Sequence, residues 1–426
     1  QAFISSKLSL HVPVGFAPAD LSRYSLFDFQ AAIVDWAVKR GRAAIFADTG
    51  LGKTRMQLSY ADQVATHTGK PVIILAPLCV AQQTVREAES IGIADCRYAR
   101  TKALVHGARI VVVNYEMLDH FAGIEWGGVV LDESSILKNF TGKTKQLLIS
   151  SFKTTPFKLA CTATPAPNDY LELGNHAEFL DVMPSNEMIM RFFINDTMAA
   201  GSYRLKNHGR DDFWQWCASW SVALTKPSDM GYADDRYQLP ALQVQHISVS
   251  TEGLPPIEGH LFRDSVLSAT TIHQEMRLTA PLRADAVARL IANDPDETWL
   301  IWCNTNYEAD ALMQRISQAV EVRGCMSPEE KSKRLLAFIH GESKILLTKP
   351  SVAGFGLNLQ HCARVAFVGL SYSYEDFYQA VRRCYRFGQQ REVQVFVVAA
   401  DSEICVMETI QRKEREHQSM QLEMAA

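Results

Sequence analysis

Two series of short apolar, β-branched runs constrain this chain more than any other feature. The first comprises AAIFAD (43–48), PVIILAP (71–77), RIVVVNY (109–115), GVVLDE (128–133) and FKLACTAT (157–164), separated by stretches of helical character. Such runs read as buried strands, and their alternation with helices predicts a parallel sheet with crossover helices. The second series is TWLIWCN (298–304), KILLTK (344–349), ARVAFVGL (363–370) and VQVFVVAA (393–400), and it predicts a second domain of the same kind. The expected fold is therefore α/β: two domains, each a mostly parallel sheet flanked by helices. Between about 180 and 245 the strand runs stop, Trp, Met, Asn and Gly accumulate, and DDRYQLPAL (234–242) contains a proline, so a helical insertion and linker is expected there. The expected boundaries are 1–180, 181–245 and 246–426.

Composition excludes several classes. Lys+Arg 43 against Asp+Glu 47 gives a net charge of −4, so no global positive field draws the chain to nucleic acid or anionic lipid, and such a partner needs a local basic surface. Nine cysteines without a C-x-x-C pair fit neither a disulfide framework nor a zinc site, and read as reduced thiols. The opening QAFISSKLSLHVPVGF lacks an export signal and no apolar stretch approaches the ~20 residues of a membrane span, so a cytoplasmic location is expected. Twelve histidines show no ligand spacing, so no metal beyond Mg²⁺ is expected.

Directly after AAIFAD stands TGLGKT, then a helical stretch. Strand, glycine loop and helix form a phosphate-binding arrangement: across Thr49, Gly50, Leu51 and Gly52 backbone N–H groups can approach phosphate oxygens. Lys53 would neutralise the β/γ charge and the Thr54 hydroxyl would ligate Mg²⁺. Ala47 stands where the common pattern has glycine, and an ordinary glycine turn remains the alternative. The strand GVVLDE delivers Asp132 and Glu133 at its C-terminal end, suited to hold Mg²⁺ through water and to polarise an attacking water, or else to cap a helix. In YQAVRRCYRFGQ, Arg383 and Arg386 are three apart, expected on one helix face where both could reach a γ-phosphate; an exposed basic helix is the alternative.

With these boxes in order, the chain resembles a superfamily-two helicase, closest to the Swi/Snf-like branch of double-stranded DNA translocases, in a compact phage or bacterial form. The boxes read LFDFQ, ADTGLGKT, LDESSILKN, CTATPAPND, AGFGLNL and QAVRRCYRFGQ, spanning roughly 24 to 410. The resemblance implies two RecA-like domains that bind ATP with Mg²⁺ between them. It implies adenine reading by Gln30, ATP and Mg²⁺ binding by Lys53, Thr54, Asp132 and Glu133, and coupling to the strand by Thr162 and Thr164. Gly356 and Asn358 would line the cleft, and Gln379, Arg383 and Arg386 would act as sensor and arginine fingers. The chain departs from its relatives at Ser134-Ser135 and at KPSVA before Gly354.

A translocase indifferent to sequence should contact phosphates, for which Lys138, Asn139, Thr348 and Lys349 are candidates, with solvated surface as the alternative. SYRLKNHGR (202–210) gathers Arg204 and Lys206 in a candidate DNA-contacting loop. Phe213, Trp216 and Trp220 stand at helical spacing and read as core. The C-terminal QRKEREHQSMQLEMAA reads as a charged, fraying helix. The expected activity is ATP-dependent translocation on, or remodelling of, duplex or forked DNA. An RNA-dependent ATPase and a nucleotide-gated clamp remain as alternatives, and a protein partner that supplies targeting fits the absence of a reader domain.

Overall fold

A computed structural model describes residues 12–78, 80–139, 142–195, 203–234, 237–254, 269–353 and 358–425. The chain divides into two compact units, residues 1–235 with 416–426, and residues 236–415.

In the first unit seven strands form one parallel sheet: β1 (Arg42–Ala47), β2 (Val72–Ala76), β3 (Cys96–Tyr98), β4 (Ile110–Asn114), β5 (Gly128–Asp132), β6 (Phe157–Cys161) and β9 (Ser221–Leu224), in the order β3-β4-β2-β5-β6-β1-β9. Every residue of β2, β4, β5 and β6 is buried, as expected of a parallel sheet covered on both faces. The helix Lys53–Thr68 packs so closely on β5 that a Cβ on Gly128 would lie 2.9 Å from Val64 Cγ1. A short antiparallel pair, β7 (Phe193–Asn195) and β8 (Tyr203–Leu205), stands apart from this sheet.

The second unit has six parallel strands, β10 (Leu242–Val249), β11 (Trp299–Cys303), β12 (Val320–Val322), β13 (Ile345–Thr348), β14 (Arg364–Val368) and β15 (Val393–Ala400), in the order β10-β15-β14-β11-β13-β12. Trp299 and Trp302, from opposite faces of β11, anchor the cores on its two sides. The same unit holds a buried ionic cluster in which Arg283 meets Glu308 at 2.8 Å and Glu403 at 3.4 Å.

The expected two-sheet α/β architecture is present, with differences in its middle and end. Residues 181–235 belong with the first unit. Met183, Phe192, Phe213, Trp214, Trp216 and Trp220 join the first core, and β9 extends the first sheet by pairing with β1, so this segment is the outer layer of that domain. The Phe213, Trp216 and Trp220 face is core, each residue at most 1% exposed. Strand β10 pairs with β15 at eight positions, which starts the second unit before residue 246. Its sequence carries no apolar run because most of its side chains are exposed at the sheet edge. The last helix, Ile404–Ala425, does not end in solvent: Met420 is fully buried in the first core and Glu423 meets Arg210 at 2.5 Å.

Candidate functional site

The sheet order places β5, β6 and β1 side by side, so the residues leaving their C-terminal ends share one edge. After β1 the backbone turns through Gly50 (φ +89°) and Gly52 (φ +80°), both in the left-handed region that glycine enters without strain. A Cβ on Gly52 would lie 2.2 Å from Gln30 Nε2, so any other residue would be strained by its positive φ and would have to displace the Gln30 amide. The helix Lys53–Thr68 starts directly behind, with Thr54 half-buried in its first turn. Lys53 Nζ donates to Ala47 O (2.8 Å) and Asp48 O (3.3 Å), folded against the loop's entry. Thr49 donates its N–H and its hydroxyl to Asp48 Oδ1, and Leu51 is buried beneath the loop.

Gln30 is 2% exposed, and its amide joins two segments: Oε1 accepts from Phe27 N (3.0 Å) and Nε2 donates to Leu51 O (2.9 Å). Gln30 thus braces the phosphate loop.

At the end of β5, Asp132 is 6% exposed and its Oδ1 accepts from Gln57 Nε2 at 2.7 Å. Gln57 lies three residues beyond Thr54 on the same helix, so this bond brings the start of that helix beside the acidic strand end. Tyr115 OH donates to Asp132 O at 2.7 Å, and burial beside Asp132 holds that phenol far above its ordinary pKa. Glu133 has φ +55°, a left-handed conformation uncommon for a residue with a side chain; such strain, of order 1–3 kcal/mol, gathers at functional sites. Its Oε2 accepts from Thr162 Oγ1 at 3.3 Å, while that hydroxyl also accepts from Thr164 N at 3.1 Å. The threonine box and the acidic box are thereby in direct contact, and both threonines are fully buried.

Behind the acidic box lies a buried histidine. His176 Nδ1 faces Glu172 O at 3.3 Å, and since a carbonyl only accepts, the proton resides on Nδ1 and Nε2 accepts from Ser134 Oγ at 3.1 Å. Burial lowers the His176 pKa to about 4, so the ring is neutral. Asn175 next to it donates to Leu137 O (2.9 Å) and Lys138 O (3.1 Å), fixing the turn that carries the half-buried Lys138 and the exposed Asn139.

In the second unit, Gln379 and Arg383 are partners: Arg383 Nη2 donates to Gln379 Oε1 (2.9 Å) and Nε to Gln379 O (3.1 Å). The two arginines do not share a helix face. The helix Tyr374–Val381 ends first: Arg383 N and Cys384 N turn back three residues to Ala380 O and Val381 O, Arg386 N only two to Cys384 O, and Arg383 O is taken by Leu359 N (3.0 Å), which leaves Arg383 and Arg386 in successive turns. Burial lowers the pKa of Arg386. Asn358 is exposed and its Oδ1 accepts from Gln360 N at 3.3 Å; Gly356 lies outside the described residues.

Two expected contact residues have other work. Thr348 is 1% exposed and its hydroxyl donates to Val322 O at 3.0 Å, because it belongs to β13 and faces the neighbouring strand. Lys206 donates to Met190 O (2.9 Å) and Arg191 O (2.7 Å), closing the end of the helix Ser185–Phe192. Lys349 meets Asn306 Oδ1 at 2.7 Å, and Arg204 is exposed on β8. Gln57, Tyr115, Asn175 and His176 escaped the sequence reading because no motif marks them; for Gln57 the signal is its place one turn along the helix from Thr54.

Fold and site together define a P-loop ATPase built of two RecA-like domains. Residues 29–198 match the SNF2-related domain and residues 283–388 the helicase conserved C-terminal domain. The chain is a superfamily-two helicase of the Swi/Snf-like branch: an ATP-dependent, nucleic-acid-dependent helicase or translocase. Among solved structures it is similar to the Sulfolobus solfataricus SWI2/SNF2 ATPase core in complex with dsDNA, with 17% identity over 97% of this chain and 96% of that chain and a TM-score of 0.46. No curated protein matches. Among the described residues no helix is long and apolar enough to cross a membrane.

Proposed function

We propose that the nucleic acid is DNA, duplex or forked, along which the chain moves or which it remodels as it hydrolyses ATP. The observation that carries this reading is the shared edge of β5, β6 and β1, where a phosphate loop, an acid pair and the Thr162 hydroxyl meet. The preference for DNA rests on the match to the SNF2-related domain and on the ending R-x-x-R-x-G-Q, Arg383 to Gln389.

Each group then has a role. Lys53 and the backbone N–H groups from Thr49 to Thr54 hold the β- and γ-phosphates, and Gln30 links adenine recognition to the loop through its bond to Leu51. Glu133 orients the attacking water and accepts its proton. Arg383, held by Gln379, and Arg386 offset the charge that builds on the γ-phosphoryl group, an effect worth ~10³–10⁵ in rate. The donors fit Mg²⁺: a hydroxyl at Thr54 and a carboxylate at Asp132 are hard oxygen ligands, and the Gln57 bond brings their two elements together. Mg²⁺ bound there would neutralise phosphate charge. Contact between Thr162 and Glu133 gives the strand-sensing threonines a route to the hydrolytic carboxylate, while Lys138, Asn139, Arg204, Lys349 and Asn358 are the proposed backbone contacts.

Steady-state ATPase activity measured without nucleic acid and with duplex, single-stranded and forked DNA and duplex RNA tests this, with Arg386→Ala as the blank. Stimulation by duplex or forked DNA is expected. Stimulation by RNA alone overturns the choice of nucleic acid, and an absence of turnover on every substrate overturns the motor reading.

A further inference from the structure

Gln389 is 6% exposed, and its side-chain amide makes five hydrogen bonds. Nε2 donates among the carbonyl oxygens of Gln360 (2.8 Å), Cys362 (3.2 Å) and Cys384 (3.2 Å), while Oε1 accepts from the N–H groups of Gln390 and Arg391, both at 2.9 Å. These partners lie on the chain following Asn358, in the turn that carries Arg383 and Arg386, and on the approach to β15. The turn that delivers the amide requires glycine: Gly388 has φ +92°, and a Cβ there would lie 2.7 Å from Gln360 Oε1. A neutral amide presents two donors on one side and an acceptor on the other; Leu offers neither and an ionised Glu offers no donor, so neither reproduces the junction.

We infer that Gln389 is a positioning residue for the arginine motif, setting the Arg383–Arg386 turn against the Asn358 segment without touching nucleotide. This rests on the proposal that those arginines act on the γ-phosphate. In Gln389→Glu, one carboxylate oxygen still accepts from Gln390 and Arg391, but the other faces three carbonyl oxygens. Burial and that repulsion raise its pKa above the usual ~4.3. Below the raised value the carboxyl is protonated and donates one bond; as pH rises through it, the junction is lost. Nearby titratable or charged groups are His361, Cys362, Cys384, Arg383 and Arg391, the last paired with Glu297 at 2.9 Å; dividing by the parent's profile removes their contribution.

The experiment is steady-state ATPase of the full chain, with and without duplex DNA, from about pH 5.5 to 9. Parent, Gln389→Glu, Gln389→Leu and Arg386→Ala are compared, and the stoichiometry of binding of a fluorescent ATP analogue is measured alongside. For Gln389→Glu the activity relative to the parent should fall as pH rises, on the order of 10²-fold, with KM and stoichiometry unchanged and with recovery when the same sample is returned to low pH. Gln389→Leu should be slow throughout. A pH-independent ratio for Gln389→Glu, or a parental rate for Gln389→Leu, overturns the inference; if Gln389→Leu does not fold, the reversible titration of Gln389→Glu decides alone. Full activity in Arg386→Ala would instead overturn the arginine assignment, whereas an inactive Arg386→Ala beside a pH-flat Gln389→Glu removes only the positioning role.

Discussion

Gln57 Nε2 donates to Asp132 Oδ1 across 2.7 Å, a buried bond between the helix behind the phosphate loop and the acidic strand end. It aims one oxygen of the carboxylate proposed to hold Mg²⁺. Outer-shell partners of this kind are worth roughly 10–100-fold in metal affinity. Gln57→Leu should therefore raise the Mg²⁺ concentration for half-maximal ATPase by about that factor, read from a Mg²⁺ titration at fixed ATP. An unchanged midpoint would show that Asp132 needs no such orientation.

Lys53 and Glu133 separate binding from chemistry. Lys53→Ala removes the cation of the phosphate loop and should abolish nucleotide binding. Glu133→Gln keeps the size of the side chain and the Thr162 contact but removes the base, so binding should persist while turnover falls by ~10²–10⁴. Nucleotide titration and ATPase assays on the two variants distinguish the roles; parental turnover in Glu133→Gln refutes the assignment.

His176 makes stability depend on pH. Its folded pKa of about 4 lies below the unfolded value of 6.5, so below pH 6.5 the unfolded chain binds more protons and stability falls as pH drops toward 4. The shift corresponds to a loss of about 3 kcal/mol across that window. Urea unfolding of the parent at neutral and acid pH should show it, and His176→Leu, though less stable at neutral pH, should have a flatter profile. Equal pH slopes in the two proteins would assign the acid sensitivity elsewhere.

Arg204 and Lys206, neighbours in sequence, should behave differently. Lys206→Met removes a donor to two carbonyls at the end of a helix and should cost about 1 kcal/mol of stability with little change in DNA affinity. Arg204→Glu should weaken DNA binding and reduce its salt dependence without changing stability. Unchanged affinity and salt slope for Arg204→Glu would remove β8 from the interface.

Interior strands were legible because β2, β4, β5 and β6 are buried on both faces and must be apolar at every position. The candidate site was legible as local geometry where particular residue types stand in a row, as in TGLGKT and LDE. Strand β10 and the outer layer around Trp220 were misplaced for the opposite reason: an edge strand needs few apolar side chains, and a Trp-rich stretch does not say which core it enters.

Local pattern by itself determined the two parallel sheets, the phosphate loop and the order of the boxes, since each depends on residues adjacent in the chain. Tertiary structure alone decided that Gln57 meets Asp132, that Thr162 meets Glu133, that Arg383 and Arg386 leave the helix, and that Met420 returns to the first core. Those contacts join residues far apart in sequence, or depend on a distant partner such as Leu359, and no spacing along one segment encodes the geometry of another.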